Sequence, residues 1–461
     1  MPKNNNKEKF LRLRAEYPFL AYDGFDYQYS DKGLRVQFHF SLSDKYVFHP
    51  TMMVPAKDFF IPGNINEPFL ENILFQIGMV ESISYWKAAC PPKLIVRGHS
   101  LSQEQVNWWK KLYYNGLGEF LYLNGISMKP EDFIQIESEP GHLFKPFSLQ
   151  LENTAIVPVG GGKDSVVTLE ILGNDNGNSN IPLILNPRDA NKGTVMKMGL
   201  YYDSIVEVQR SIDPVLLELN AKGFLNGHTP FSALLAFVSV LAAGLSGKKY
   251  IALSNESSAN ESTVKGSEIN HQYSKSVEFE EDLRYYVNNF ITPDIEYFSF
   301  LRPLNELQIA RLFSGFPKYF DVFKSCNVGS KTNIWCGSCA KCLFTYIILS
   351  PFVPQEKLES VFGKNLLNDV DLWPLLRQLC GMTGTKPFDC IGTVDEVNAA
   401  LQMTMNTIPE TGLPELLKLY KDSELYSRYR NFDADTLLHS FNKNHFLPKK
   451  YEVLLRSKIH A

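Results

Sequence analysis

Residues 156–167 read IVPVGGGKDSVV: a short apolar run, three glycines, Lys-Asp-Ser, and a second valine pair. A strand that enters a glycine turn and leaves as a helix opens a parallel α/β unit, since parallel neighbours need a crossover where antiparallel ones need only a hairpin. The runs AIVPV, IPLILN, SIVEVQ and KYIALS alternate with helical stretches, the first of them SVVTLEILG, directly after the glycines. That alternation predicts a parallel sheet with flanking helices.

The pattern differs on either side. Before about residue 150, GLRVQFHFSL alternates as a half-buried strand does, and DKYVFHPTMMVP follows as its hairpin partner. SLSQEQVNWWKKLYYNGL opens with Ser102 and Gln105 at capping-box spacing, which predicts a helix start. GNDNGNSN at 173–180 is a turn-rich loop, and after about 350 the chain is mainly helical, with Thr393 and Glu396 forming a second capping box. The expected division is an N-terminal α+β domain over 1–150, an α/β domain over 151–350 and a helical C-terminal extension over 351–461. A chain of 461 residues can give each its own core.

Charge and hydropathy exclude some partners. With 46 basic and 50 acidic residues the net charge is −4, which offers no overall attraction to nucleic acid. The N-terminus MPKNNNKEKFLRLRAEYPF has no apolar core of the kind an export signal carries. The longest apolar run, FSALLAFVSVLAAGLSG, has 17 residues including three serines and two glycines. It is short for a bilayer span and reads as a helix buried against a sheet, with a membrane span the alternative. A cytoplasmic protein with no membrane and no obligate protein partner is expected.

The glycine loop narrows the chemistry. Consecutive glycines let amides approach an anion, and the following helix aims its positive end at the same place. A Walker loop fails because Asp164 follows Gly162-Lys163, and the dinucleotide fingerprint fails because Asp164 and Ser165 stand where a third glycine should be. The stretch resembles the Ser-Gly-Gly-x-Asp-Ser loop of the PP-loop ATP pyrophosphatases, whose fold is adenine nucleotide α-hydrolase-like, with Gly160 at the leading serine. The resemblance implies an ATP site built from Gly160, Gly161, Gly162, Lys163, Asp164 and Ser165, cutting ATP between the α and β phosphates. Lys163 would neutralise phosphate charge, Asp164 would hold Mg²⁺ or cap the helix, and Ser165 would donate to a phosphate oxygen. The plain alternative is a strand-to-helix turn that Asp164 or Ser165 caps.

Four of the seven cysteines crowd together: Cys326, Cys336, Cys339 and Cys342. Two-residue gaps place thiolates at the corners of a tight knuckle, and four satisfy tetrahedral Zn²⁺. Structural zinc, reduced unligated thiols, and an iron-sulfur cluster or catalytic thiol are the three readings. A similar arrangement occurs in the deazaguanine nitrile synthases, which are also PP-loop enzymes.

Residues 253–283 follow KYIA and are dense in polar groups: Asn255, Glu256, Asn260 and Glu261, then Asn270, His271, Tyr273, Ser274 and Lys275. Open parallel sheets bind ligands beyond the carboxyl ends of their strands, so this stretch is a substrate-site candidate, against the alternative of a solvated loop. Arg302, leading into NELQIARLF, suits a carboxylate or phosphate, or else a surface ion pair with Glu306.

With NHQYSKSVEFE, RPLNELQIARLF, WCGSCAKCLF and KPFDCIGTVDE added to the glycine loop and Asn255-Glu256, the chain resembles the UDP-N-acetylmuramoyl-L-alanyl-L-glutamate epimerase family of an alternative peptidoglycan route. The resemblance covers most of 150–400 and extends to the N-terminal domain. It implies that the terminal L-glutamate of the UDP-MurNAc dipeptide becomes D-glutamate while ATP gives AMP and pyrophosphate. Adenylation would turn the carboxylate into a mixed anhydride and make the α-hydrogen acidic enough to remove. Lys163, Asp164, His271 and Glu256 are the catalytic candidates, with Glu261, Lys275 and Cys390 as further acid/base options, and Asn255, Glu261, Asn270, Lys275 and Arg302 as substrate ligands. Tyr27, Arg35, His39 and Arg97 are offered to the UDP-sugar. Another PP-loop adenylating enzyme (tRNA thiolase, nitrile-forming synthase or amide ligase) and a non-catalytic ATP-binding scaffold are the rival functions.

Overall fold

The computed structural model describes residues 6–173, 180–260, 273–384, 386–389 and 391–459. Eleven strands are present among them: β1 (Phe19–Ser30), β2 (Gly33–Leu42), β3 (Tyr46–Phe48), β4 (Thr51–Pro55), β5 (Lys93–Val96), β6 (Gln135–Ser138), β7 (Glu152–Pro158), β8 (Ile181–Leu185), β9 (Val206–Arg210), β10 (Lys248–Leu253) and β11 (Glu296–Ser299). They form one sheet in the order β11-β10-β7-β8-β9-β4-β2-β1-β5-β6, with β3 beside β2. Pairing is antiparallel around β2 and where β4 meets β9, and parallel elsewhere.

The helices used below are α1 (Glu67–Trp86), α2 (Gln103–Gly116), α3 (Gly118–Asn124), α4 (Lys163–Gly173), α5 (Phe231–Leu245), α6 (Val277–Phe290), α7 (Glu306–Ser314), α8 (Ala340–Leu349) and α9 (Val394–Thr407). The expected capping boxes open α2, through Ser102 and Gln105, and α9, through Thr393 and Glu396. Helices flank both faces of the sheet, and strand residues alternate between two cores. Ile156, Leu183, Ile251 and Tyr297 enter the core shared with α1, α2, α5 and α6; their neighbours Val157, Ile184, Ala252 and Phe298 enter the core shared with α4, α7, α8 and α9. This period of two explains why the parallel strands read as continuous apolar runs.

The 17-residue apolar run becomes α5, buried in the first core. Two of the run's serines are satisfied locally: Ser239 Oγ donates to the Leu235 carbonyl at 2.6 Å and Ser246 Oγ to that of Ala242 at 2.5 Å. No helix among the described residues is long and apolar enough to cross a membrane. Residue 150 marks a change of strand direction rather than a gap, because β4 pairs with β9 through Met52 and Arg210, and the first core runs from Phe10 to Tyr297. From about residue 340 the chain is helical, and residues 174–179 of the expected loop lie outside the described residues.

Candidate active site

The five parallel strands β9-β8-β7-β10-β11 wind outward from β7 in both directions. Between β7 and β10 the strand order reverses, and such a point leaves a crevice at the carboxyl ends of the strands. The glycine loop lies there, between Pro158 and α4. Gly161 has φ +85°, and a Cβ on it would come within 2.7 Å of the Asn191 nitrogen, so only glycine fits. Gly160 opens onto free space. Ser165 does not face outward: its Oγ accepts from the Gly161 amide at 3.1 Å and donates to the Gly162 carbonyl at 2.9 Å, which fixes the loop's own shape. The first-turn amides of α4 are then the natural donors for an anion.

Lys163, 4% exposed, places its ammonium between the carboxylates of Asp164 and Glu306. Burial opposes its charge, but Asp164 and Glu306 outweigh that and hold its pKa above the ordinary lysine value. Glu306 is the first residue of α7, which Asn305 and Gln308 cap, and its amide donates to Glu396 at 2.8 Å. Glu256, just beyond β10, completes a set in which one oxygen each of Asp164, Glu256 and Glu306 lies within 4.8 Å of the others. One ammonium cannot neutralise so many buried carboxyls. Burial raises the pKa of Glu306 even against Lys163, and Asp164, Glu256 and Glu396 push it further. Burial likewise raises Glu396. Hard oxygen donors with excess negative charge fit a divalent cation such as Mg²⁺.

The remaining predicted residues divide. Asn255 donates from Nδ2 to Ser299 Oγ at 3.1 Å, at the end of β11. Lys275, half-buried, offers its carbonyl to Arg302. Arg302, expected as a substrate ligand, is engaged by the protein itself. It is 0% exposed and pairs with Glu280 at 3.0 Å, while also donating to the Glu256 carbonyl at 2.7 Å and to Ser299 Oγ. The surface pair with Glu306 is absent too, because Pro303 and the cap at Asn305 put Arg302 outside the helix that Glu306 begins. Arg302 ties the chain on both sides of residues 257–274. Glu261, Asn270, His271 and Cys390 lie outside the described residues. In the N-terminal half, Arg97 pairs with Asp23 at 2.7 Å, and His39 meets Asp26 and His49, each at 2.8 Å; Tyr27 is half-buried and Arg35 exposed.

Sequence reasoning missed Glu306 and Glu396 as parts of this cluster; their only local signal is their place in capped first turns. The stretch KPFDCIGTVDE, read as a resemblance motif, brings Gly392 to the same cluster. Lys386 Nζ donates to the Gly392 carbonyl at 2.8 Å, and a Cβ on Gly392 would meet Glu396 Oε2 at 2.6 Å and Glu306 Cγ at 3.1 Å. Phe388 packs against Tyr122 of α3 with ring centroids 5.2 Å apart and planes tilted by 39°, so the N-terminal region reaches this loop through α3.

The four cysteines converge as expected. Sγ separations are 3.8 Å for Cys326–Cys339, 3.7 Å for Cys336–Cys342 and 3.5 Å for Cys339–Cys342. A tetrahedron with Zn–S bonds of about 2.3 Å has an edge of about 3.8 Å, so the donors fit zinc. Gly337, with φ +67°, makes the turn of the knuckle. Cys326 follows Lys324, whose amide donates to the Gly161 carbonyl at 2.9 Å, and Ser325, which lies against Gly162; on its other side Asn327 donates to Asp389. The knuckle therefore touches both the glycine loop and the loop 386–392.

Comparison with known proteins adds to this geometry. The family model described as MurL N-terminal domain matches residues 13–300, and that described as MurL C-terminal domain matches 322–423. A protein of Xanthomonas oryzae pv. oryzae (strain MAFF 311018) named UDP-N-acetyl-alpha-D-muramoyl-L-alanyl-L-glutamate epimerase is 33% identical over 359 residues, which cover 76% of this chain and 78% of that protein. A protein of the same name from Salinispora tropica is 35% identical over 360 residues, 77% of each chain. One from Micromonospora sp. (strain ATCC 39149) is 36% identical over 362 residues, 77% of this chain and 78% of its own. No solved structure matches.

Proposed function

The chain belongs to the MurL family, and from that premise we propose that it is an ATP-dependent epimerase. It inverts the terminal L-glutamate of UDP-MurNAc-L-Ala-L-Glu for peptidoglycan precursor synthesis, by way of a carboxyl adenylate. The observation that carries the reading is the glycine loop at the strand-order reversal, with Lys163 and three carboxylates converging beside it. The order β9-β8-β7-β10-β11 also supports a PP-loop type of sheet.

The first-turn amides of α4 and Lys163 grip the β and γ phosphates. Asp164, Glu256 and Glu306 would hold Mg²⁺, which when bound screens the triphosphate charge. A carboxylate oxygen of the substrate glutamate attacks the α phosphorus, the bond to the β phosphate breaks, and pyrophosphate leaves. In the mixed anhydride the electron pair of the Cα–H bond can pass into the acyl carbonyl, which the free carboxylate resists because it already carries charge. Reprotonation on the other face inverts the centre, and water releases AMP. Both substrates belong to cytoplasmic pools, and the cysteine knuckle serves as a structural zinc site that braces the glycine loop.

The test incubates the protein with ATP, Mg²⁺ and the muramoyl dipeptide in deuterated water. Deuterium at the glutamate α-carbon is expected together with AMP and pyrophosphate. Exchange that proceeds equally well without ATP would remove adenylation from the pathway.

A further inference from the structure

The crevice has two walls, and they come from opposite faces of the sheet. α4, α7 and α9 pack into one core and α5 into the other. α5 leads into β10 through Gly247, whose carbonyl accepts from the Glu152 amide at the start of β7 at 2.7 Å. α5 therefore runs against the strands, and its amino end rises toward their carboxyl ends. The lengths agree: 15 helical residues span about 22 Å and six strand residues about 20 Å.

Just before that end stands His228. Its Nδ1 lies 3.4 Å from the Glu119 carboxylate, and the side chains are 31% and 12% exposed. Gly116 and Gly227 let the two segments close: a Cβ at Gly116 would meet Pro230 at 2.9 Å, and one at Gly227 would meet Phe120 at 3.0 Å. Glu119 lies on α3 one turn before Tyr122, the residue whose ring meets Phe388. Phe388 belongs to the loop whose Gly392 lies against Glu306 and Glu396. The segments that carry the histidine and the carboxylate cluster are thus linked through α3 and Phe388.

We infer that His228, oriented by Glu119, exchanges the α-proton of the substrate from the wall opposite the carboxylates. The inference rests on the adenylation reading above. Inversion needs one group on each face of the α-carbon, and the two walls supply them. The Glu119 carboxylate beside Nδ1 stabilises the imidazolium that forms. The Cα–H bond breaks, its electron pair enters the acyl carbonyl as an enolate, and the proton goes to the imidazole of His228. A proton delivered on the opposite face forms the new Cα–H bond, and the imidazolium passes its proton to water. His228 is the proton-exchanging group and Glu119 a positioning residue.

The full-length chain, its His228→Asn variant and its Glu119→Gln and Glu119→Asp variants are assayed side by side for pyrophosphate release and for D-glutamate formation. His228→Asn is expected to keep releasing pyrophosphate while epimer formation falls at least about 100-fold, the range of general acid–base assistance. Glu119→Gln should lower kcat for epimerisation about tenfold with KM for ATP unchanged, and Glu119→Asp should restore part of it. Should His228→Asn fold poorly, the Glu119 pair decides alone. Epimerisation at the wild-type rate in His228→Asn overturns the inference, as does loss of pyrophosphate release in step with epimerisation, which would put His228 in adenylation. Absence of pyrophosphate from the wild type itself would instead reject the adenylation reading, and the inference with it.

Discussion

At Lys163 one buried ammonium serves two carboxylates 1 and 143 positions away in the chain. Replacing it by alanine leaves Asp164 and Glu306 facing each other without a counter-charge. Removing one partner of a buried ion pair costs about 3–5 kcal/mol, so Lys163→Ala should lower the free energy of unfolding by about that amount, seen as a lower denaturation midpoint, as well as abolish pyrophosphate release. An unchanged midpoint would mean that the pair is not closed in solution. Lys87 gives a pH signature of a different kind. Its ammonium donates to Asn226 Oδ1 at 3.1 Å and to the Gly227 carbonyl at 2.7 Å, next to His228, and burial foremost, then the charge of Arg210, pushes its pKa down to about 8. A depressed folded pKa means that the unfolded chain binds more protons between about 8 and the ordinary lysine value of about 10.4. Its contribution to stability is therefore complete above the upper limit and lost as pH falls to about 8. Denaturant midpoints at pH 7.5 and 9.5 should show this rise in the wild type relative to Lys87→Met, and parallel pH profiles would refute it.

At the scale of elements, the knuckle is the link between the glycine loop and the helical region. Cys326 lies two residues beyond the amide that holds Gly161, and Cys339 caps α8. Zinc that fixes Cys326 would thereby fix the loop. Purified protein should contain about one zinc per chain, because four thiolates close one tetrahedral site. Chelation should weaken binding of a non-hydrolysable ATP analogue about tenfold while the far-ultraviolet dichroism stays near native. Equal affinity with and without the metal would confine the knuckle to holding α8.

The whole molecule shares one sheet and has two cores. The family's N-terminal match at 13–300 contains all eleven strands, which run from Phe19 to Ser299. Cutting at residue 150 would bare the β9 edge and the face of α5 on which Trp109 stacks, rings 5.5 Å from Phe237. Residues 151–461 expressed alone should aggregate, since an open strand edge beside an exposed apolar face is an association site. A soluble, cooperatively folding fragment would show that the two halves are independent.

The sequence alone determined whatever is decided within a few residues. Alternating apolar runs gave β7 to β10, Ser102/Gln105 and Thr393/Glu396 set helix starts, three glycines marked the turn, and close cysteine spacing built most of the knuckle. These follow from side-chain period, cap hydrogen bonds and φ preference, all of which act locally. Tertiary structure decided what faces what. Arg302 and Glu306 stand four apart and read as a pair, yet a proline and a cap break the helix between them, and each takes a partner from another segment: Glu280 for one, Lys163 for the other. Glu119 and His228, more than a hundred residues apart, meet only because α3 packs against the start of α5. Charge pairing across such separations is set by how the sheet orders its strands, and no periodicity in the chain encodes it.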